Sequence, residues 1–324
     1  MGGFLGFQQR FPDEVSCIAW LVAARWPDGM RCQGCGGART YQLACRPRVL
    51  ECAGCGKQHS ATAGTVFHKT RTPLQIWFWA AYLLGADKRG VSALQFARSF
   101  ELRYDTAWTM LHKLRHALFE RADATLDGLV EVDETYYGGR GRPESRGRSL
   151  KNPNKSLIAA AVEKRPAAQR QGDGIKQSRH VAGAVRLAVL PSAGAEPLGS
   201  FVRTAVAPGS HVISDGFQGY RDLADRYRHH ALVQGEGARA DVVLPIVHTL
   251  FGNLKTWLNG TFHGVSAKHL PRYLREWAYR FNRRHRQPDM PEFLLRRAAR
   301  QTTITYRAIT AGLQLQGAAP ALTG

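Results

Sequence analysis

The chain has 324 residues and 44% hydrophobic content, enough for roughly two or three domains with buried cores. A formal net charge of +20 and a pI of about 10.2 favour a polyanionic partner, most simply nucleic acid. No run approaches about 18 apolar residues, and Met1–Phe7 lacks the basic start and long apolar core of a signal peptide, so neither a membrane span nor secretion is expected.

Cytoplasmic residence follows, where clustered cysteines hold metal more often than they form disulfides. Asp13 is positioned to cap a first helix running through Cys17, Ile18, Leu21 and Val22. Two C-x-x-C-G knuckles come next, Cys32-Gln33-Gly34-Cys35-Gly36 and Cys52-Ala53-Gly54-Cys55-Gly56, separated by residues 36–51. That spacing suits a four-cysteine ribbon, in which four thiolates close a tetrahedral, structural Zn²⁺ site. Cys17 and Cys45 stand outside the pattern and read as small buried side chains. Arg39, Tyr41, Arg46 and Arg48 lie between the knuckles, either as DNA contacts or as ordinary surface.

Residues 72–86 read as a helix with Thr72 as cap and Pro73 in the first turn. A second helix begins near Gly90, and a third covers Asp105–Arg115. A short helix, a turn around Glu101–Tyr104 and a basic third helix resemble a helix-turn-helix, whose last helix enters the major groove. Thr106, Thr109, His112, Lys113 and Arg115 would form its polar face. A plain helical bundle gives the same pattern.

From 129 the pattern changes to strands at 129–135, 155–162, 185–190 and 211–215. Alternation puts Glu131, Asp133 and Thr135 on one face of the first, and Ile213 and Asp215 on one face of the last. If these strands are neighbours, Asp133 and Asp215 bring two hard oxygen ligands to one end of a sheet, suited to Mg²⁺ or Mn²⁺ working on phosphates. Strands in succession, then a helix and a further strand, suit an α/β sheet with an antiparallel meander. Segment 138–154, with Arg140 and Arg142, is expected to be a loop that orders on a phosphate backbone, and 164–180 an exposed hairpin tip. Tyr220–Leu223 is expected to be helical.

Residues 246–259 carry an apolar stripe of Val247, Leu250, Phe251, Leu254, Trp257 and Leu258. His248 and Lys255 share one flank and Asn253 lies on the other. A last helix over 269–285 ends in the basic run Arg280, Arg283, Arg284, suited to phosphate contact or simply to solvent. The final 40 or so residues read as peripheral.

The ribbon, Phe67-His68-Lys69-Thr70-Arg71-Thr72-Pro73-Leu74, Val132-Asp133-Glu134-Thr135-Tyr136-Tyr137-Gly138-Gly139, Ser214-Asp215-Gly216, Asn253–Ser266 and Tyr279–Arg284 together resemble the ISXO-like insertion-sequence transposases. The resemblance implies an α/β, RNase H-like mixed sheet with flanking helices, preceded by a small zinc ribbon and a helix-turn-helix-like domain. It divides the chain into an N-terminal helical segment (1–28), the ribbon (29–62), a helical DNA-binding domain (68–122), a catalytic domain (126–288) and a C-terminal tail (289–324). It implies metal-dependent cutting and joining of DNA at terminal inverted repeats, by a dimer or higher assembly on double-stranded DNA. Asp133 and Asp215 would hold Mg²⁺ or Mn²⁺, and Lys255 would hold a phosphate.

Relatives of this fold place a third acid on the late helix, but 246–259 contains none. The group's asparagine points to Asn253; the helical wheel points to His248; Glu276 is a further acid, of a kind usually solvated. Alternatives in function are a non-catalytic DNA-binding regulator or decayed copy, and a structure-specific nuclease of the same fold.

Overall fold

A computed structural model of the chain describes residues 3–118, 125–138, 155–166, 180–232 and 244–312. In chain order the elements are helices α1 (Phe4–Arg10) and α2 (Glu14–Arg25), strands β1 (Thr40–Leu43), β2 (Arg46–Cys52) and β3 (Gln58–Ser60), then α3 (Leu74–Ala86), α4 (Ala93–Ser99) and α5 (Tyr104–Ala117). Strands β4 (Leu129–Gly138), β5 (Lys155–Pro166) and β6 (His180–Leu190) follow, then α6 (Ala195–Ala205), β7 (His211–Asp215) and β8 (Arg228–Leu232). The last helices are α7 (Pro245–Phe262), α8 (Leu270–Asn282), α9 (Met290–Arg300) and α10 (Tyr306–Ala311). The described residues fall into two compact units, one within 1–119 and 283–311, the other within 120–282 and 312–324.

In the first unit α2 starts on a reciprocal cap: Asp13 Oδ1 accepts from Ser16 N–H at 2.8 Å, and the Asp13 N–H donates to Ser16 Oγ. Its core is aromatic, with Phe11 and Trp20 both edge-on to Phe78 of α3. The C-terminal stretch read as peripheral returns here. Helix α9 buries Met290, Leu294, Leu295, Ala298 and Ala299, and Ala298 O accepts from Val66 N–H. Its contact with α3 is close because residue 85 is glycine; a Cβ there would lie 2.9 Å from Pro291 N. The amphipathic spacing of 290–300 is short and follows a proline, which disguised it.

The second unit is built on a five-stranded mixed sheet in the order β6-β5-β4-β7-β8. Strands β4, β5 and β6 pair antiparallel; β4–β7 and β7–β8 pair parallel. This meander followed by parallel strands across the first strand is an RNase H-like arrangement. Helix α6 covers one face with Leu198, Phe201 and Val202 against Val130, Val132, Ala159 and Val212. Helices α7 and α8 cover the other, against Tyr137, Ile158, Ala160, Val162 and Val185. With both faces covered, β5 is buried continuously from Ser156 to Glu163, which explains its unbroken apolar run.

Helix α7 buries the six residues of its stripe, each worth about 1.5–3 kcal/mol of apolar transfer. Pro245 occupies its first turn, where a missing N–H costs nothing. It ends at His263, in the left-handed region at φ 54°, with Gly264 N–H returning to Leu258 O.

Candidate active site

The two knuckles fold alike. Gly36 N–H bonds Cys32 O and Gly56 N–H bonds Cys52 O, each at 2.9 Å, with both glycines at positive φ. The tight turns bring the sulfurs of Cys32, Cys35, Cys52 and Cys55 within 4.8 Å of one another. The Cys32 thiol is pulled down to about 5 by the N–H groups of Cys35 and Gly34 and by His59, whose Nε2 is 3.4 Å from its sulfur. Four sulfurs at this spacing fit a structural Zn²⁺. Cys17 is buried as expected, whereas Cys45 is exposed at the β1–β2 turn. Arg48, read as a possible DNA contact, instead binds Glu14 of α2 and the carbonyls of Thr70 and Thr72. It ties the ribbon to the segment that leads into α3.

In the second unit the parallel register Glu131↔Ile213 brings β4 and β7 together so that Asp133 and Asp215 are level, each two residues further along its strand. Asp133 is buried, at 6% exposure. Nε2 of His248 on α7 lies 3.5 Å from its Oδ2. Two turns further along α7, Lys255 Nζ donates to Thr135 Oγ1 at 2.7 Å. Burial lowers the Lys255 pKa, and the Asp133 charge opposes that shift. Asp215 Oδ1 accepts from Phe217 N–H. On the opposite face of β4, Glu134 accepts from the buried Tyr220 hydroxyl at 2.6 Å. Burial first, then the charges of Glu134, Asp133 and Asp215, push the Tyr220 phenol well up, so it keeps its proton.

Glu131, fully buried, anchors α7 from the strand. One carboxylate oxygen accepts from the N–H groups of Ile246 and Val247, both at 3.0 Å, and the other pairs with Lys164 Nζ at 3.2 Å. Helix α7 has no side-chain cap of its own, so an acid two residues before Asp133 satisfies its first-turn donors and sits at the positive end of its dipole. Alternation had put Glu131 and Thr135 on the face of Asp133, but only the packing of α7 gave them partners.

Two family models match the chain: the transposase zinc-ribbon domain over residues 12–58 and the ISXO2-like transposase domain over residues 125–282. Residues 12–58 and 125–282 are thus similar to the two domain types of ISXO2-like transposases. Among curated proteins and among solved structures, none matches. The transposase-domain match starts just before β4 and ends at the last residue of α8, so it takes in the whole sheet and both helices behind Asp133.

The remaining candidate residues fall in several places. Asn253 is exposed and follows His248 by five residues, about 140° round the helix, so α7 turns it away from Asp133. Among the described residues the cysteine quartet is the only metal-ligating group drawn within 4.8 Å; Asp133, Asp215 and His248 are not gathered that closely. Glu276, expected in solvent, is fully buried on α8 beside fully buried Arg272. Arg280 lies over the Trp257 ring at 4.9 Å, and Arg283 and Arg284 are half-buried. In α5, Arg115 and His112 are buried rather than on an outward polar face, and Arg115 reaches the Val91 carbonyl. The reason is that α5 packs against α4, α3, α9 and α10, which leaves it little free surface. Lys113 is half-buried. Arg140 and Arg142 lie outside the described residues.

Proposed function

We propose that the chain is an insertion-sequence transposase that binds the terminal inverted repeats of its element and catalyses metal-dependent DNA cleavage and strand transfer. The observation that carries this is the pair of aspartates, level on neighbouring parallel strands and on the face covered by α7, with His248 against Asp133. Two carboxylates are the hard donors a divalent cation takes, and an imidazole nitrogen joins them more readily for Mn²⁺ than for Mg²⁺. Asp133 and Asp215 would hold the cation, with His248 as third donor in place of an acid. Such a cation, when bound, activates an attacking oxygen and stabilises the leaving one.

The chain's own residues do the positioning. Lys255, fixed by Thr135 and partly shielded from water, offers an ammonium to a phosphate next to the aspartates. Tyr220 holds Glu134 as a hydrogen-bond acceptor on the back of the strand, which steadies Asp133 between its neighbours. The net charge of +20 draws double-stranded DNA to the protein. Joining two element ends requires two copies, so the working form is a dimer or larger assembly on DNA, acting at the bacterial chromosome in the cytoplasm.

The test is nicking and joining of the element's terminal-repeat DNA in Mg²⁺ or Mn²⁺. Asp133→Asn and Asp215→Asn should abolish both steps while retaining DNA binding. His248→Ala should lose most activity and shift the Mn²⁺/Mg²⁺ activity ratio, whereas Asn253→Ala should stay within a few-fold of the parent. Full activity in either aspartate variant would overturn the assignment. Binding without cutting by the parent protein would mean a decayed transposase or a regulator.

A further inference from the structure

The segment Phe67–Leu74 belongs to the shared motifs, yet it lies outside the aspartate site. In the structure it is a rigid wall. Thr70 N–H bonds Phe67 O, Trp77 Nε1 donates to Thr70 Oγ1 at 2.9 Å, and Arg48 holds the carbonyls of Thr70 and Thr72. Lys69, in the middle, is exposed and takes the left-handed conformation at φ 54°, unusual for a residue with a side chain. Backbone held this way is found where a side chain has to be aimed.

Opposite this wall stands α5. Between them is an open groove of about 490 Å³ lined by His68, Lys69, Thr72, Thr106, Thr109 and Lys113. Among the described residues neither Lys69 nor Lys113 forms an ion pair, although Lys113 is half-buried and its ammonium is held below its usual pKa by that burial. A half-buried ammonium without a carboxylate pays desolvation with no return unless an anion comes to it. Thr106 and Thr109 of α5 line the same space, and His68 Nδ1 accepts from Gly64 N–H, which leaves Nε2 to carry the ring proton. The lining contains one carboxylate, Asp105, which stands 3.9 Å from Arg103.

We propose that this groove is a phosphate-backbone site for one strand of the bound DNA, with Lys69 and Lys113 on opposite walls and the hydroxyls of Thr106 and Thr109 between them. Its chemistry is sequence-independent: ammonium and hydroxyl donors read phosphate oxygens and fix register, not base identity. Motif and helix thus act together, and α5 contributes through its flank on the groove instead of through an outward recognition face. This inference rests on the DNA reading above and assigns part of that binding to residues far along the chain from the aspartates.

The test uses the full chain and a labelled duplex of arbitrary sequence, with affinity measured by fluorescence anisotropy over a range of salt. Lys69→Gln and Lys113→Gln should each weaken binding about tenfold. Each should also reduce the log–log salt slope by about one. Asp105→Asn should tighten binding, an effect that damage to the fold cannot mimic. Lys69 is exposed, so its variant carries the test even if Lys113→Gln misfolds; zinc content and far-UV circular dichroism check both. A double variant with the parent's affinity and slope overturns the groove while leaving the transposase reading intact. A parent protein that binds no duplex at any salt overturns both.

Discussion

Replacing Glu131 with alanine probes how β4 holds the helix that carries His248 and Lys255. The change removes two charge-assisted hydrogen bonds to the N–H groups of Ile246 and Val247 and strips Lys164 of its partner. Charge-assisted bonds are each worth about 1.5–3 kcal/mol. Against that, the buried carboxylate's own desolvation cost disappears, so the net loss should resemble that of breaking a buried pair from one side, about 3–5 kcal/mol. Val247 is fully buried, so water cannot readily replace the lost acceptor. Glu131→Gln keeps one acceptor oxygen and should lose about 1–2 kcal/mol. Native-state hydrogen exchange reads this locally: in Glu131→Ala the amides of Ile246 and Val247 should lose at least about 100-fold protection, the equivalent of roughly 3 kcal/mol. Nicking should fall in parallel while DNA binding stays. Unchanged protection at those two amides would refute the claim that the strand carboxylate caps α7.

Other outcomes follow from the same geometry. Cys52→Ser should release the bound zinc and loosen the ribbon, whereas Cys17→Ser should retain the metal; a metal-sensitive dye with a chelator distinguishes them. Gly85→Ala should destabilise the first unit by about 1–3 kcal/mol in thermal unfolding, because overpacking against Pro291 outweighs the helix-propensity gain of about 1 kcal/mol. An unchanged or raised midpoint would contradict that close approach. His269 has its pKa lowered to about 4 by burial and by the charges of Lys268 and Arg272. The unfolded chain therefore takes up this proton first, so stability present above about pH 6.5 is lost as pH falls toward 4. His269→Gln should flatten that slope in urea unfolding, and an identical pH profile would show that His269 is not its source.

Local pattern alone made a good part of this protein legible. Four cysteines in two knuckles announce a metal site because ligand spacing is a property of the chain itself. Asp133 and Asp215 follow apolar, β-branched runs, and alternation assigns their faces without any tertiary knowledge, although β4 runs on past Asp133 to Gly138 while β7 ends at Asp215. The stripe of α7 matches its buried residues one for one, since a helix with a clean apolar face has one way to bury it. Other elements were not legible for equally physical reasons. Strand β8, Arg228-His229-His230-Ala231-Leu232, is a polar edge strand and lacks the apolar signature of its neighbours.

What only the tertiary structure decided is who meets whom. The family resemblance pointed to Asn253 and the helical wheel to His248; packing of α7 on β4 turns His248 to Asp133 and leaves Asn253 exposed. The helix-turn-helix-like pattern put Arg115 on the polar face of a DNA-reading helix, but α5 packs against other helices and buries it. Glu131 read as one more acid on a strand until the first turn of α7, more than a hundred residues later, came to its carboxylate. Periodicity reports which face of an element is apolar. Which partner lies across that face depends on long-range contacts, which no single stretch of the chain encodes.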